Sequence, residues 1–227
     1  MPELNEDLHG MVPDKSDVAL LLIDVINDLE FPGAELLVRH ALPMADKIAM
    51  LKKRAKAARI PVIYVNDNFG RWQSDFTRNV EHCLNDTNEQ GEPLRGKPLV
   101  QCLKPGPDDY FVLKPKHSAF FSTNLDILLD YLGAKTLILT GVAGNICVLF
   151  TANDAYMRDF RIIVPADCIA SNEIEDNNTA LHLMETVLKA EIKPSEEIDF
   201  SALISETEEQ PDAKVPQVAT NQAPGTR

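Results

Sequence analysis

The chain has 227 residues, 44% of them apolar and 25% charged, and its 22 basic and 35 acidic side chains give a formal charge of −13. That length suits one α/β domain with a sizeable core, and that composition excludes a fibrous or wholly disordered chain. The acidic balance repels phosphate backbones and anionic lipid, so neither nucleic acid nor a membrane is an expected partner.

Four cysteines, at positions 83, 102, 147 and 168, form no CxxC and no metal-ligand spacing. They read as free thiols in a reducing compartment, and the cytoplasm is the expected address. Residues 1–17 lack a basic segment followed by an apolar one, and the apolar run from Val18 to Ile23 is too short to span a bilayer. Residues 1–16 are expected to be an N-terminal extension, 17–204 the domain, and 205–227 a disordered, acidic and polar tail.

In chain order, residues 18–24 (VALLLID) read as a first strand, apolar throughout rather than alternating. Residues 42–59 follow as a helix, with Pro43 near its start and Ile48, Leu51, Ala55 and Ala58 on one face. A second strand is expected at 61–65, then loops and one short helix over 66–101, and a third strand at 111–113. Residues 125–132 form a helix ended by Gly133. A fourth strand is expected at 136–140, a helix at 146–160, a fifth strand at 161–164, a helix at 174–190 and a last strand near Ile192. This alternation predicts a three-layer α/β fold: a six-stranded, mainly parallel sheet flanked by helices. Such sheets bind ligands at the carboxyl ends of their strands, near the switch in strand order.

Three residues stand at or just beyond such ends: Asp24 after the first strand, Lys114 after the third, and Cys147 in the turn leaving the fourth. Cys147 closes the small-residue turn Gly141-Val142-Ala143-Gly144-Asn145-Ile146. At a helix N-terminus its thiolate would be stabilised by backbone N–H groups, which also suit an oxyanion. By position alone Cys147 is equally a small buried hydrophobe. Burial of Asp24 would raise its pKa and suit it to proton transfer, although a strand-end Asp is also a common turn residue. Lys114 could hold Asp24 ionised, or lie along the surface with its ammonium in water. Only the combination points to catalysis.

Other motifs carry less. Gly141 to Gly144 lacks the third glycine and the acidic partner of a dinucleotide fingerprint, and no cofactor is expected. Lys52, Lys53, Arg54 and Lys56 read as a solvated helix face. His9, His40, His82, His117 and His182 show no paired metal-binding spacing.

Three segments carry a resemblance that spans roughly Asp17 to Ala190. They are Leu22-Ile23-Asp24-Val25-Ile26-Asn27-Asp28, Val112-Leu113-Lys114-Pro115-Lys116-His117-Ser118-Ala119-Phe120, and Leu139 through Val148 with Thr151 and Ala152. With Ile163 to Asp167 downstream, the chain resembles the isochorismatase-like cysteine hydrolases, which include nicotinamidases and carbamoylsarcosine amidases. The resemblance implies an Asp24–Lys114–Cys147 catalytic set, a cis peptide between Val142 and Ala143, and an oxyanion hole from the N–H groups of Ala143 and Cys147. It implies hydrolysis of a C–N bond in a small amide, carbamoyl or ureido substrate through a Cys147 thioester. It also implies a homodimer or homotetramer. Two departures stand out. Ile26 occupies a position where many relatives carry Gln. Asp67 is followed by Asn68 and Phe69, where metal-binding nicotinamidases carry Asp-x-His, so no metal is expected. Phe69, Arg71 and Trp72, with His117 and Phe120, are the candidate substrate contacts. Trp72 reads equally as a core aromatic, and His117 also fits a surface role. Alternatives within the fold are enol-ether hydrolysis, as isochorismatase performs, or a catalytically silent binding member.

Overall fold

The structure, a computed structural model, describes residues 14–68 and 76–208. A sheet of parallel pairs runs through it. Strands β1 (Val18–Ile23), β2 (Val62–Asp67), β3 (Tyr110–Lys114), β4 (Thr136–Val142), β5 (Arg161–Pro165) and β7 (Glu191–Lys193) stand in the order β3-β2-β1-β4-β5-β7. A two-residue strand, β6 (Ile169–Ala170), pairs with the end of β4 beyond the reach of β5. The expected parallel sheet is therefore present, with β6 as an addition too short to leave a periodicity in the sequence.

β1 and β4 are buried along their whole lengths, which explains their unbroken apolar composition. Alternate side chains feed two cores. Leu20, Leu22, Val62, Tyr64 and Ile138 pack with α1 (Ala34–Ala57), α2 (Phe76–Asn85), α3 (Lys97–Cys102) and α7 (Phe200–Glu208). Leu21, Ile23, Ile63, Val65, Leu137 and Leu139 pack with α4 (Leu125–Leu132), α5 (Leu149–Tyr156) and α6 (Ile174–Thr186). The expected three layers follow from this period-two division.

Several boundaries differ from the sequence reading. α1 begins at Ala34, eight residues before the expected start, and Pro43 lies inside it. Ala34, Leu37 and Ala41 extend the apolar stripe toward the N-terminus, while Pro43 faces solvent, where the carbonyl it leaves unpaired can bond water. Lys114 is the last residue of β3 rather than a residue after it. Among the described residues, the segment 66–101 and the residue after it hold two short helices, α2 and α3, rather than one. α7 runs to Glu208, across the expected boundary at 204, because Phe200 and Leu203 anchor it on the core. α4 matches its expected bounds, and Gly133 caps it at φ 80°.

The strand order reverses at the β1–β4 pair, and the carboxyl ends meet there. Gly141 faces Ile23 at this point with φ 111°, and a Cβ on it would lie 2.0 Å from the Ile23 carbonyl oxygen. Both the backbone angle and the close approach require glycine. Gly141→Ala should therefore lose about 3 kcal/mol or more of stability, measured by denaturant unfolding.

Candidate active site

Asp24 follows β1 directly, in a left-handed conformation at φ 51°. This turns its carboxylate back over the sheet edge. Oδ1 accepts the Asp67 N–H at 2.8 Å from the end of β2. The side chain of Asn66, fully buried, holds the chain that leaves the site: its Oδ1 accepts the Ile26 N–H and its Nδ2 donates to the Ile26 carbonyl. Ile26, in place of the glutamine of many relatives, is itself packed in the core.

Lys114 reaches Asp24 from two strands away, a gap of about 10 Å between backbones that only a long side chain crosses. Its Nζ lies 2.8 Å from Asp24 Oδ2 and 3.6 Å from Cys147 Sγ, and its side chain has no exposure to solvent. Cys147 approaches from β4 through a cis Val142–Ala143 peptide and a single π turn, Gly144–Val148, that precedes α5. In this turn the Ala143 carbonyl accepts the Ile146 and Val148 N–H groups, both at 3.1 Å, and not that of Cys147. The buried Thr151 hydroxyl donates to the Cys147 carbonyl at 2.7 Å and accepts the Ala119 N–H at 3.0 Å. It thereby ties the Lys114 loop to the thiol's helix.

The electrostatics correct one expectation. Burial drives the Cys147 pKa up, the Asp24 carboxylate adds to this, and Lys114 opposes it too weakly, leaving the thiol at about 12. Burial and Asp24 thus favour the protonated sulfur over the thiolate. Burial also raises the Asp24 pKa above the ordinary carboxylate value, against the pull of Lys114, Cys147 and the Asp67 N–H. Burial works against the Lys114 ammonium, but Asp24, Cys147 and Asp67 outweigh it and hold its pKa above the ordinary value. The cluster can thus pass a proton between sulfur and carboxylate beside a fixed positive charge.

Of the other candidates, His117 places Nδ1 3.9 Å from Cys147 Sγ, with its ring tilted against Phe150. Phe120 is a core residue at 3% exposure, covered by the Arg158 guanidinium and Phe160, so it braces the loop rather than presenting a free face. Phe69, Arg71 and Trp72 lie outside the described residues. The bridging roles of Asn66 and Thr151 emerge only in three dimensions: Thr151 stands among the residues that carry the resemblance, but nothing local to an Asn or Thr signals such a bridge. Among the described residues no three His, Cys, Asp or Glu side chains gather as a metal would need, and no helix is long and apolar enough to cross a membrane.

Comparison with known proteins fits this architecture. A family model described as "Isochorismatase domain" matches residues 18–192. The chain is 47% identical over 184 residues to the uncharacterized isochorismatase family protein YaaI of Bacillus subtilis, covering 81% of this chain and 97% of that protein. It is 30% identical over 176 residues to a ureidoacrylate amidohydrolase, RutB, of Methylorubrum extorquens, covering 68% of this chain and 70% of that protein. The crystal structure of N-carbamoylsarcosine amidase from Thermoplasma acidophilum superimposes with a TM-score of 0.61 at 26% identity, covering 81% of this chain and 99% of that one. Fold and sequence together define a three-layer α/β hydrolase. The chain belongs to the isochorismatase family.

Lys114→Met removes the partner of a buried carboxylate, a change that commonly costs about 3–5 kcal/mol. Without the ammonium, the folded-state pKa of Asp24 rises further above its unfolded value. A carboxyl raised in this way favours the fold below the unfolded pKa and loses that contribution as pH rises through the folded one. The deficit of the variant against the parent should therefore be small in mild acid and grow toward neutral pH, as followed by urea unfolding across pH.

Proposed function

We propose that this hydrolase cleaves a C–N bond in a small amide, carbamoyl or ureido compound through a thioester on Cys147. The observation that carries the reading is the position of the Lys114 ammonium, 2.8 Å from Asp24 and 3.6 Å from Cys147 in one buried cluster. The names of similar proteins support the substrate class, since they include a ureidoacrylate amidohydrolase and an N-carbamoylsarcosine amidase.

Asp24 accepts the thiol proton as Cys147 Sγ bonds to the substrate carbonyl carbon, and the carbonyl electron pair moves onto oxygen. The N–H groups of Ala143 and Cys147 receive that oxyanion. Each such donor is typically worth about 3–4 kcal/mol. When the tetrahedral adduct collapses, the C–N bond breaks and nitrogen leaves with the proton from Asp24. Asp24 then takes a proton from water as the oxygen attacks the thioester; the C–S bond breaks and the sulfur recovers that proton. The sum is amide plus water giving acid plus amine or ammonia. Lys114 stays charged throughout and stabilises each negative charge as it forms. His117, at the outer side of the sulfur, contacts the bound substrate, and the enzyme acts as a cytoplasmic homo-oligomer with no metal or organic cofactor.

An ammonia-release screen on the purified protein tests this reading, with Cys147→Ala as control. The variant should keep its fold and fall to background, and a slow amide should leave an acyl adduct on Cys147 of the parent in intact mass spectra. Turnover that survives in Cys147→Ala, or an enol ether cleaved with no adduct, would defeat the proposal.

The pH profile gives a second test. Active enzyme needs Asp24 ionised and Cys147 protonated, so kcat/KM should fall in acid with a midpoint above 3.8, the ordinary carboxyl value. With the thiol at about 12, no alkaline loss from Cys147 should appear between about pH 7 and about pH 10.

A further inference from the structure

β6 and the start of α6 contribute nothing to the Asp24–Lys114–Cys147 cluster directly, yet they are built against the turn that carries the thiol. β5 pairs with β4 only as far as Ile138, and β6 then takes over beside Gly141 and Val142. That short strand delivers Ser171, 1% exposed, to the backbone of the π turn. Ser171 Oγ accepts the Asn145 N–H at 3.1 Å, so its own hydrogen is directed to Asn177 Oδ1 at 2.9 Å. A backbone N–H can only donate, so the Asn145 bond runs to Ser171, and the Asn177 amide presents its oxygen to the hydroxyl as the acceptor of the second bond. Asn177 sits in the first turn of α6 and packs directly on the turn: a Cβ on Gly144 would lie 2.4 Å from Asn177 Oδ1 and 3.1 Å from Ser171 Oγ.

We propose that Ser171 and Asn177 form a positioning relay for the nucleophile: Asn177 orients the Ser171 hydroxyl, and that hydroxyl holds Asn145 so that the turn keeps its π register. Register decides where the sulfur points. In an ordinary α turn the Ala143 carbonyl would take the N–H of Cys147; here it takes that of Val148. Releasing Asn145 lets the turn tighten by one residue, which draws the Cys147 N–H into the helix and swings Sγ away from Lys114 and Asp24. Ser171 and Asn177 act through Asn145 and not on the reacting atoms. The relay deepens the proposed hydrolysis and rests on it for the turnover measurements, but the reactivity of the thiol itself can be read without any substrate.

Three variants test the relay: Ser171→Ala, Asn177→Leu, and Asn177→Asp, which keeps an acceptor oxygen for Ser171. Each is assayed for kcat and KM on an amide found by the screen, for the rate of Cys147 alkylation by iodoacetamide read by peptide mass, and for its unfolding midpoint. Ser171→Ala and Asn177→Leu should lose about 10- to 100-fold in kcat with KM changed less than about 3-fold, the size expected of a nucleophile displaced by an ångström or less. Their Cys147 alkylation rates should depart from the parent together, and Asn177→Asp should restore both readouts. Parent-like kcat and alkylation in folded Ser171→Ala would overturn the relay, as would equal losses in Asn177→Leu and Asn177→Asp that follow the unfolding midpoint. If Ser171→Ala does not fold, the Asn177 pair decides alone. An alkylation pattern in the expected order, in a protein that cleaves no amide, would uphold the relay and defeat the proposed reaction.

Discussion

The buried pair of Lys114 and Asp24 is the constraint around which the rest of the site is arranged. Taking both charges out of water costs several kcal/mol each, and their attraction offsets this only where the geometry is close and the remaining hydrogen-bonding capacity is filled. The contact is close, at 2.8 Å, and the Asp67 N–H on the second carboxylate oxygen and the sulfur within reach of the ammonium take up further capacity. Such an arrangement demands that the ends of β1, β2 and β3 hold fixed heights relative to one another. The parallel register supplies this, placing Asp67 opposite Lys114 and Ile23 opposite Val65. The buried amide of Asn66 keeps the departing chain at Ile26 from pulling Asp24 out of line.

Burial then sets the chemistry. The same exclusion of water that strengthens the pair raises the thiol to about 12 and lifts the carboxyl above its ordinary value. A helix N-terminus alone would favour a thiolate, but burial of Cys147 and the neighbouring Asp24 carboxylate push its pKa up, with Lys114 opposing them. Sulfur and carboxylate therefore share one proton, with the ammonium beside them to stabilise whichever carries the negative charge. A permanently ionised sulfur would need no base. In the proposed reaction this one needs Asp24, which would make the three residues a single unit rather than a nucleophile with accessories.

The parts of this design that are legible in the sequence are those with a one-dimensional signature. β1 and β4 show as unbroken apolar runs because both their faces are covered, and α4 shows as Leu125, Leu129 and Leu132 ahead of Gly133. Asp24, Lys114 and Cys147 stand out because strand ends are countable and because the motifs around them resemble a known family. The sequence cuts α1 short because a proline usually marks a helix start, and only the packed structure shows that Pro43 faces water. β6 escapes it because two residues have no period. Asn66, Thr151, Ser171 and Asn177 escape it for a different reason. Each acts through a hydrogen bond to a partner set by the fold, and no local pattern records such a partner.

That last group shows how the site divides its labour. The side chains that would meet substrate come from strand ends, where the sheet fixes position but not orientation. Orientation comes from polar side chains that grip backbone: Asn66 on Ile26, Thr151 on Cys147 and Ala119, Ser171 on Asn145. Each grip is buried or nearly so, where an unmade hydrogen bond would cost about 1–3 kcal/mol, so each segment has one favoured placement rather than several. The π turn most needs this help. It is a wider and less common backbone form than the α turn it replaces, and it leaves the Ala143 carbonyl to Ile146 and Val148 rather than Cys147. Without a grip from outside, the local energetics would draw it toward the α register. The sheet brings the sulfur near the ammonium, and the Ser171 hydroxyl just beyond β6, itself bonded to Asn177 of α6, grips the turn at Asn145.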